Sequence, residues 1–294
     1  MVRLRFCPSP AALPAGFRLW RGKGTASQPQ LAAQMVKELA EAFPGRAVHG
    51  TGDAAFHSES LAIKGTTWTT RLPAKAVLYG PKPPPTGKRG RPRKKGGRIG
   101  TCADAAAAAD WRGTVINAYG KDTAVQVAAR DALWYGSFKS APGQLVLVRD
   151  PGSAKPYDLG IFTLDTEASP ETIAERYSWR WAIEPSNATG KQLTGAGDAC
   201  NRVQKAVERA VPFAFLIQSL MILWYALACD PAAGIAERRS RCPWYRTKAT
   251  PSPADMHAAL RGELLTARIS GISPGQDGPT KNTPDAVTST ASAA

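Results

Sequence analysis

The 294-residue sequence is long enough to bury a sizeable core, and its 38 Lys and Arg against 23 Asp and Glu residues give a net charge of +15. That charge, with an isoelectric point near 9.9, favours an extended polyanion such as nucleic acid over small acidic substrates. The N-terminal letters MVRLRF run directly into Pro8 and Pro10, so no apolar stretch resembles a signal peptide.

The cysteines are scattered along the chain without the paired short spacing that zinc sites use. They are Cys7, Cys102, Cys200, Cys229 and Cys242. We therefore predict free thiols and a cytoplasmic protein.

The first predicted elements are a helix over residues 25–43 and a short strand over residues 46–52. Leu31, Met35 and Leu39 recur at helical spacing, and Pro44-Gly45 follows as a stop signal. Asp53 comes directly after the strand. This order places a carboxylate at the end of a strand, a common arrangement in α/β active sites.

Residues 79–100 contain too much proline, glycine and positive charge to fold around a core of their own. We predict an exposed basic arm. Three apolar runs follow at residues 124–135, 144–150 and 158–164, and they predict the strands of a β-rich insertion that returns to a main sheet.

Ser169-Pro170-Glu171 predicts a helix start, with an N-cap residue, a proline in the first turn and an acid beside it. Residues 203–228 predict a second helical region. Its apolar part, residues 211–229, approaches the length that crosses a bilayer, but Pro212, the central Gln218-Ser219 pair and flanking charges favour a helix buried in protein. From residue 269 onward the composition is that of a disordered tail.

Polar side chains form one stripe on the helix predicted to continue through residues 175–191. Arg180, Glu184 and Lys191 stand 3, 7 and 14 residues after Tyr177, so all four fall within roughly 60° on a continuous helix. Trp179, Trp181 and Ile183 are expected to form its packed side. The alternative is an ordinary solvated helix face.

The spacing Tyr177, two residues, Arg180, three residues, Glu184, six residues, Lys191 resembles the tyrosine-arginine-glutamate-lysine signature of insertion-sequence DDE transposases. The segments GTGDAAFHSES, DALWYGSF and LVLVRDP also resemble that family. The resemblance covers roughly residues 19–228.

The resemblance implies an α/β fold, an RNase H-like mixed sheet with flanking helices, and metal-dependent cleavage and transfer of DNA strands. Asp53 and Glu184 would be the second and third acids and would bind Mg²⁺ or Mn²⁺. Tyr177 would line the site, and Arg180 and Lys191 would hold DNA. The implied partners are transposon ends and target DNA, and the implied location is the bacterial nucleoid.

The sequence departs from the family at the first acid, which should lie on the opening strand. Nothing acidic precedes Glu38, and both Glu38 and Glu41 fall on the predicted helix. We therefore expect a truncated chain that lacks the first strands and is inactive and poorly folded. Pro185 is a second departure, expected either to kink the helix or to displace Lys191.

The arm contains Arg89-Gly90-Arg91-Pro92-Arg93, which resembles the core of an AT-hook, a motif that fits the narrow minor groove of A·T-rich DNA. The alternative is a solvated basic loop, and both versions predict affinity for DNA. The predicted DNA contacts of the arm are Lys88, Arg89, Arg91, Arg93, Lys94 and Lys95.

The sequence therefore predicts four segments: a partial catalytic core (1–72), the arm and β-rich insertion (73–165), the rest of the core (166–232), and an extension with a disordered tail (233–294). The alternative function is a non-catalytic DNA-binding fragment. The chain is expected to form a homodimer or a complex with an intact transposase. It is not expected to associate with a membrane.

Overall fold

A computed structural model describes residues 2–4, 11–84, 92–198, 200 and 202–270. The chain divides into two compact units, Met1–Ile222 and Leu223–Ala294. The four-segment division from sequence stays a prediction.

The first unit is built on a six-stranded mixed sheet with the strand order β3-β4-β10-β9-β8-β7, in which β3 and β4 are parallel and the other neighbours are antiparallel. Two short antiparallel pairs, β1-β2 and β5-β6, accompany it. The strands are β1 (Val2–Leu4), β2 (Ala11–Leu13), β3 (Val48–Gly52), β4 (Thr66–Arg71), β5 (Leu78–Tyr79), β6 (Arg98–Gly100), β7 (Arg112–Ala118), β8 (Lys121–Ala132), β9 (Gly143–Arg149) and β10 (Leu159–Thr163).

Helices flank this sheet and make up the described part of the second unit, so the predicted mixed α/β fold class is confirmed. They are α1 (Gln28–Ala42), α2 (Cys102–Ala107), α3 (Tyr135–Phe138), α4 (Pro170–Ser178), α5 (Ile183–Gln192), α6 (Gln204–Ala228), α7 (Pro231–Arg241) and α8 (Pro253–Ser270). Single 3₁₀ turns occur at Glu59–Leu61 and Trp179–Ala182.

Local sequence signals explain the elements that were predicted. Ser27 and Gln30 form a capping box at the start of α1, and Ser169 caps α4 with Pro170 in its first turn. The three apolar runs are β8, β9 and β10, and they join the main sheet itself. Strands β4 and β7 were not predicted, because TTWTTR is mostly threonine and β7 buries only Ile116.

The core lies on both faces of the sheet because its central strands alternate between them. In β9, Leu145 and Leu147 pack with Trp134, Phe138 and Phe162 on one face. On the other face, Val146 and Val148 pack against Ile173, Ala174 and Tyr177 of α4. A strand covered on both sides reads as a continuous apolar run, which is why LVLV predicted a strand so clearly.

Helix α5 packs on α6 through a close approach and a buried polar contact. A side chain at Gly190 would meet the ring of Phe215 at 2.3 Å, so only glycine fits this crossing. Nearby, the fully buried Gln218 donates a 3.0 Å hydrogen bond to the Ser186 hydroxyl. By length and composition α6 could also cross a membrane. Its apolar window is 39% buried, and Phe213, Leu216 and Leu220 are exposed, so the described chain covers α6 only in part.

The glycines of β3 make room for one large side chain of the neighbouring strand. A Cβ atom added at Gly50 would lie 2.3 Å from the ring of Trp68. A Cβ atom added at Gly52 would lie 2.8 Å from the same ring. The indole Nε1 donates to the carbonyl oxygen of Phe56 at 3.0 Å. Trp68 thereby fixes both β3 and the turn that follows it.

We predict that Gly50→Ala lowers the free energy of unfolding by about 1–3 kcal/mol, because the added methyl group must displace the buried Trp68 ring. Gly113→Ala is the matched control, since Gly113 lies in β7 with no atom within 4 Å of the added carbon. Urea unfolding followed by circular dichroism measures both variants. Equal unfolding midpoints for the two would contradict the role given to Trp68.

Candidate active site

Asp53 lies at the carboxyl end of β3, beside the end of the parallel strand β4. Gly52 is paired with Thr70, so Asp53 and Arg71 follow at the same edge. The Thr70 hydroxyl donates to the backbone oxygen of Asp53 at 2.6 Å, and the Asp53 carboxylate accepts from the backbone N–H of Ala55 at 2.9 Å. These bonds fix an exposed carboxylate at the end of a buried strand pair.

Tyr177 is the buried group next to this carboxylate. Its side chain packs into the core between α4 and the sheet, and Arg180 is near enough to act on its hydroxyl. Burial raises the pKa of Tyr177, and the negative charge of Asp53 raises it further. The positive charges of Arg180 and Arg71 lower it, but the net pKa shift is upward. The hydroxyl therefore stays protonated near neutral pH and lies within electrostatic reach of all three charged groups.

Arg180 continues the chain of contacts to the second candidate acid. Its guanidinium lies 3.3 Å from a carboxylate oxygen of Glu184, a side chain that is half-exposed. Glu184 and Lys191 both lie on α5, seven residues apart, which places them on one face about two turns from each other. The charge of Asp53 thus reaches Tyr177, which also senses Arg180, and Arg180 is ion-paired with Glu184.

The helix that carries these residues is interrupted, which corrects the continuous helix predicted from sequence. It ends at Ser178, passes through the 3₁₀ turn Trp179–Ala182, and resumes as α5 at Ile183. Pro185 therefore falls in the first turn of a new helix, where a proline removes no hydrogen bond. Lys191 is not displaced from the face of Glu184, because the break lies upstream of both residues.

The apolar residues of this break are also placed differently from the prediction. Trp179, Trp181 and Ile183 are 39%, 42% and 44% exposed, and do not form the packed side of a helix. The 3₁₀ turn rotates them away from the direction that α-helical spacing would give. The buried contacts on either side come from Tyr177 and Ser186.

Comparison with known proteins places this geometry in a family. A family model described as "Transposase DDE domain" matches residues 18–217, about two thirds of the chain. The chain belongs to the DDE transposase family. A search of curated proteins found no match.

The match includes β3, the six-stranded sheet, α4 and α5, so the site described above lies inside the transposase domain. A transposase domain implies binding to DNA, and members of this family normally use divalent metal ions. The resemblance to DDE transposases drawn from sequence is confirmed. The signature group and the truncation stay predictions.

The donor chemistry of this transposase site fits one divalent ion. Mg²⁺ prefers carboxylate oxygens, keeps several waters, and is commonly held by one or two carboxylates together with substrate phosphates. Asp53 and Glu184 supply two exposed carboxylates of that kind. Within the described residues, no group of three or more His, Cys, Asp or Glu side chains is arranged to hold a metal.

The arm of the transposase is described only at its two ends, which strands β5 and β6 join. Arg93 and Lys94 are exposed, whereas the Lys95 ammonium lies 3.5 Å from the ring centre of Tyr79 and 5.1 Å from that of Tyr135. The two ends of the arm are therefore held in place by the β5–β6 pairing and by the contacts of Lys95. Lys88, Arg89 and Arg91, the other predicted contacts, lie outside the described residues.

Sequence reasoning missed Arg71 and an ion pair that fixes α4. Arg71 gave no signal because a lone arginine after a threonine-rich segment is unremarkable. Arg176 of α4 lies 2.6 Å from Asp165, which is 8% exposed and follows β10. Burial alone would raise the pKa of Asp165, but the bonds from Arg176 and from the backbone of Ala168 and Glu167 outweigh it, so the pKa is lowered.

The histidines that flank Asp53 are occupied by protein contacts. The Nδ1 atom of His49 lies 2.5 Å from the Thr67 hydroxyl and 3.6 Å from the Asp165 carboxylate. Burial, with the charge of Arg176, lowers the pKa of His49 against the opposing effect of Asp165. His57 hydrogen-bonds with Ser137 through Nδ1 at 2.8 Å. Both imidazole rings therefore already have protein partners through Nδ1.

We predict that Asp165→Asn lowers the free energy of unfolding by about 2 kcal/mol at neutral pH, because Arg176 loses a charged partner. Asp165 has a lowered pKa in the folded chain, so its ionised form stabilises the fold above the ordinary value of 3.8. That stabilisation is lost as the pH falls through the folded-state pKa. The difference between variant and parent should therefore shrink below pH 3.8.

Glu38→Gln is the control, because it removes an exposed ion pair with Arg18 and should cost less than about 1 kcal/mol. Urea unfolding at a series of pH values measures both variants. A difference for Asp165→Asn that does not change with pH would show that its carboxylate charge is not the stabilising group.

Proposed function

We propose that this chain derives from a bacterial insertion sequence and that its catalytic site is the cluster Asp53, Tyr177, Arg180 and Glu184. The reaction is metal-dependent cleavage and transfer of DNA strands. The observation that carries the proposal is that Tyr177 lies within electrostatic reach of both Asp53 and Arg180, and that Arg180 is ion-paired with Glu184 at 3.3 Å. The family match supplies the class of reaction.

The proposed site combines acids, which would bind metal ions, with cations, which would bind the phosphates of DNA. Asp53 and Glu184 would hold Mg²⁺ or Mn²⁺, which when bound activates a nucleophilic oxygen and stabilises the leaving oxygen. Arg71, Arg180 and Lys191 would hold the phosphate backbone on the same face. Tyr177, with its raised pKa, keeps its proton and can donate it in a hydrogen bond to DNA or to the Asp53 carboxylate.

We further propose that the chain cleaves DNA poorly by itself, because the family's mechanism needs a third acid. Within the described residues, β4 is the only sheet neighbour of β3, so the strand that ends at Asp53 has one open edge. A strand added parallel to β3 at that edge would bring its own carboxyl end next to Asp53. A second copy or an intact transposase, acting at the nucleoid in the cytoplasm, could supply such a strand.

We predict that the purified chain binds DNA but nicks supercoiled DNA only at background level in Mg²⁺ or Mn²⁺. Fusion of an N-terminal segment that supplies a strand ending in aspartate should raise nicking. In that fused protein, Asp53→Asn or Glu184→Gln should reduce nicking by about 100-fold or more, because each removes a metal ligand. A gel assay for relaxed plasmid measures all of these.

Asp131→Asn is the control for charge, because Asp131 is an exposed acid on β8 outside the cluster. If the original chain nicks DNA strongly and Asp53→Ala abolishes that nicking, the proposal that the chain cleaves poorly by itself is wrong. The assignment of Asp53 to the site would then still hold. Nicking that survives both Asp53→Asn and Glu184→Gln would overturn the site itself.

The basic arm is proposed as a separate DNA contact, whether through the minor groove or through phosphates alone. Its support is the run of cations that leaves the body at a base where Lys95 is packed between two tyrosine rings. This contact would also serve the alternative function, a DNA-binding fragment without catalysis.

We predict that Arg93→Gln with Lys94→Gln lowers the slope of log affinity against log salt by about 1.8 on duplex DNA, since each phosphate contact contributes about 0.9. Lys121→Gln, which removes an exposed cation at the start of β8, is the control. Fluorescence anisotropy at several salt concentrations measures the slopes. An unchanged slope for the double variant would remove these two residues from the DNA interface.

A further inference from the structure

The second unit carries a basic aromatic segment, residues 238–248, which joins the end of α7 to the approach of α8. Its sequence RRSRCPWYRTK contains five cations and no acid. Arg239, Arg241 and Arg246 are exposed, and Arg241 forms a solvent-exposed ion pair with Glu237 at 2.6 Å. The segment lies outside residues 18–217, so the transposase family match assigns it no role.

One partly buried acid organises this segment. Asp255, in the first turn of α8, forms ion pairs with Lys248 and with Arg238, the latter at 3.3 Å. The two cations lie against the ring of Tyr245, at 5.4 and 5.6 Å from its centre. Arg239 also donates to the backbone oxygen of Lys248 at 2.6 Å, which ties the two ends of the segment together.

The ordered segment presents an aromatic ring to solvent. Trp244 is 74% exposed, although its neighbour Tyr245 is held between the two cations. The two ring centres are 6.2 Å apart with the planes tilted by 45°. A large apolar ring with three exposed arginines close in sequence is the combination that base stacking and phosphate binding require.

We propose that the basic aromatic segment binds single-stranded DNA, with Trp244 stacked on an unpaired base and Arg241 and Arg246 on adjacent phosphates. An exposed indole needs a free base face, and bases inside a duplex already stack on their neighbours. Single-stranded DNA is therefore favoured over duplex. This site is independent of Asp53 and Glu184, and its test does not require cleavage.

The experiment uses the full chain, saturated with unlabelled duplex DNA so that other DNA sites are occupied, and a labelled 20-nucleotide single strand as the probe. Trp244→Ala should weaken binding of the single strand by about 5- to 150-fold, the range expected for loss of one stacked base. Arg241→Gln with Arg246→Gln should lower its salt slope by about 1.4, or 0.7 for each contact on a single strand. Anisotropy measures both.

Trp20→Ala is the matched control, because Trp20 is a similarly exposed tryptophan of the first unit, at 47%. A second readout locates the contact directly. A single strand carrying 5-iododeoxyuridine, irradiated in the complex and digested with trypsin, should crosslink to the peptide of residues 242–246.

Loss of affinity in Trp244→Ala but not in Trp20→Ala, with the crosslink in residues 242–246, would support the proposal. Three results would each overturn it. They are equal single-strand affinity in Trp244→Ala and the parent, an equal loss of affinity for the single strand and for a labelled duplex measured separately, or crosslinks confined to the first unit. Circular dichroism of Trp244→Ala checks that the variant keeps its helices, as expected for an exposed side chain.

Discussion

The candidate site depends on the packing of α4 against the sheet. Tyr177 contributes its ring to the core and its hydroxyl to the site, so one buried side chain links the two. The Arg176–Asp165 ion pair fixes the same helix to the loop after β10. Because β3 and β4 are parallel, their carboxyl ends lie at the same edge of the sheet, and Asp53 and Arg71 lie at those ends. The acids are thus positioned by core packing, and the surface cations only complete the arrangement.

The sequence predicted the elements whose residues carry a local signal. Capping residues marked α1 and α4, and a strand covered on both faces was evident in LVLV. Strand β4 gave a weak signal because four of its six residues are threonines, and β7 because it is an edge strand that buries only Ile116. Asp53 and Glu184 were predicted from a strand end and a family signature, and their role stays a prediction. Arg71, Asp165 and the second-unit segment required the three-dimensional contacts.

The break after Ser178 shows why helical spacing alone misjudged the stripe. Arg180 acts on the Tyr177 hydroxyl from the 3₁₀ turn, and Glu184 and Lys191 share the face of a separate helix. The signature therefore spans two helices joined by a 3₁₀ turn. Pro185 fits the second helix as a first-turn residue, and Gly190 and Ser186 lock that helix onto α6. A proline that would disrupt one long helix instead suits the start of a short one.

The cations that surround the acids also affect the chain when no DNA is bound. Arg71 and Arg180 both lie within electrostatic reach of Tyr177 in a molecule whose net charge is already +15, and repulsion among its cations opposes the compact state. A polyanion that binds the native chain removes this repulsion and stabilises it by mass action. The melting temperature of this transposase is thus a joint property of protein and nucleic acid, and preparations that differ in residual DNA will differ in thermal stability.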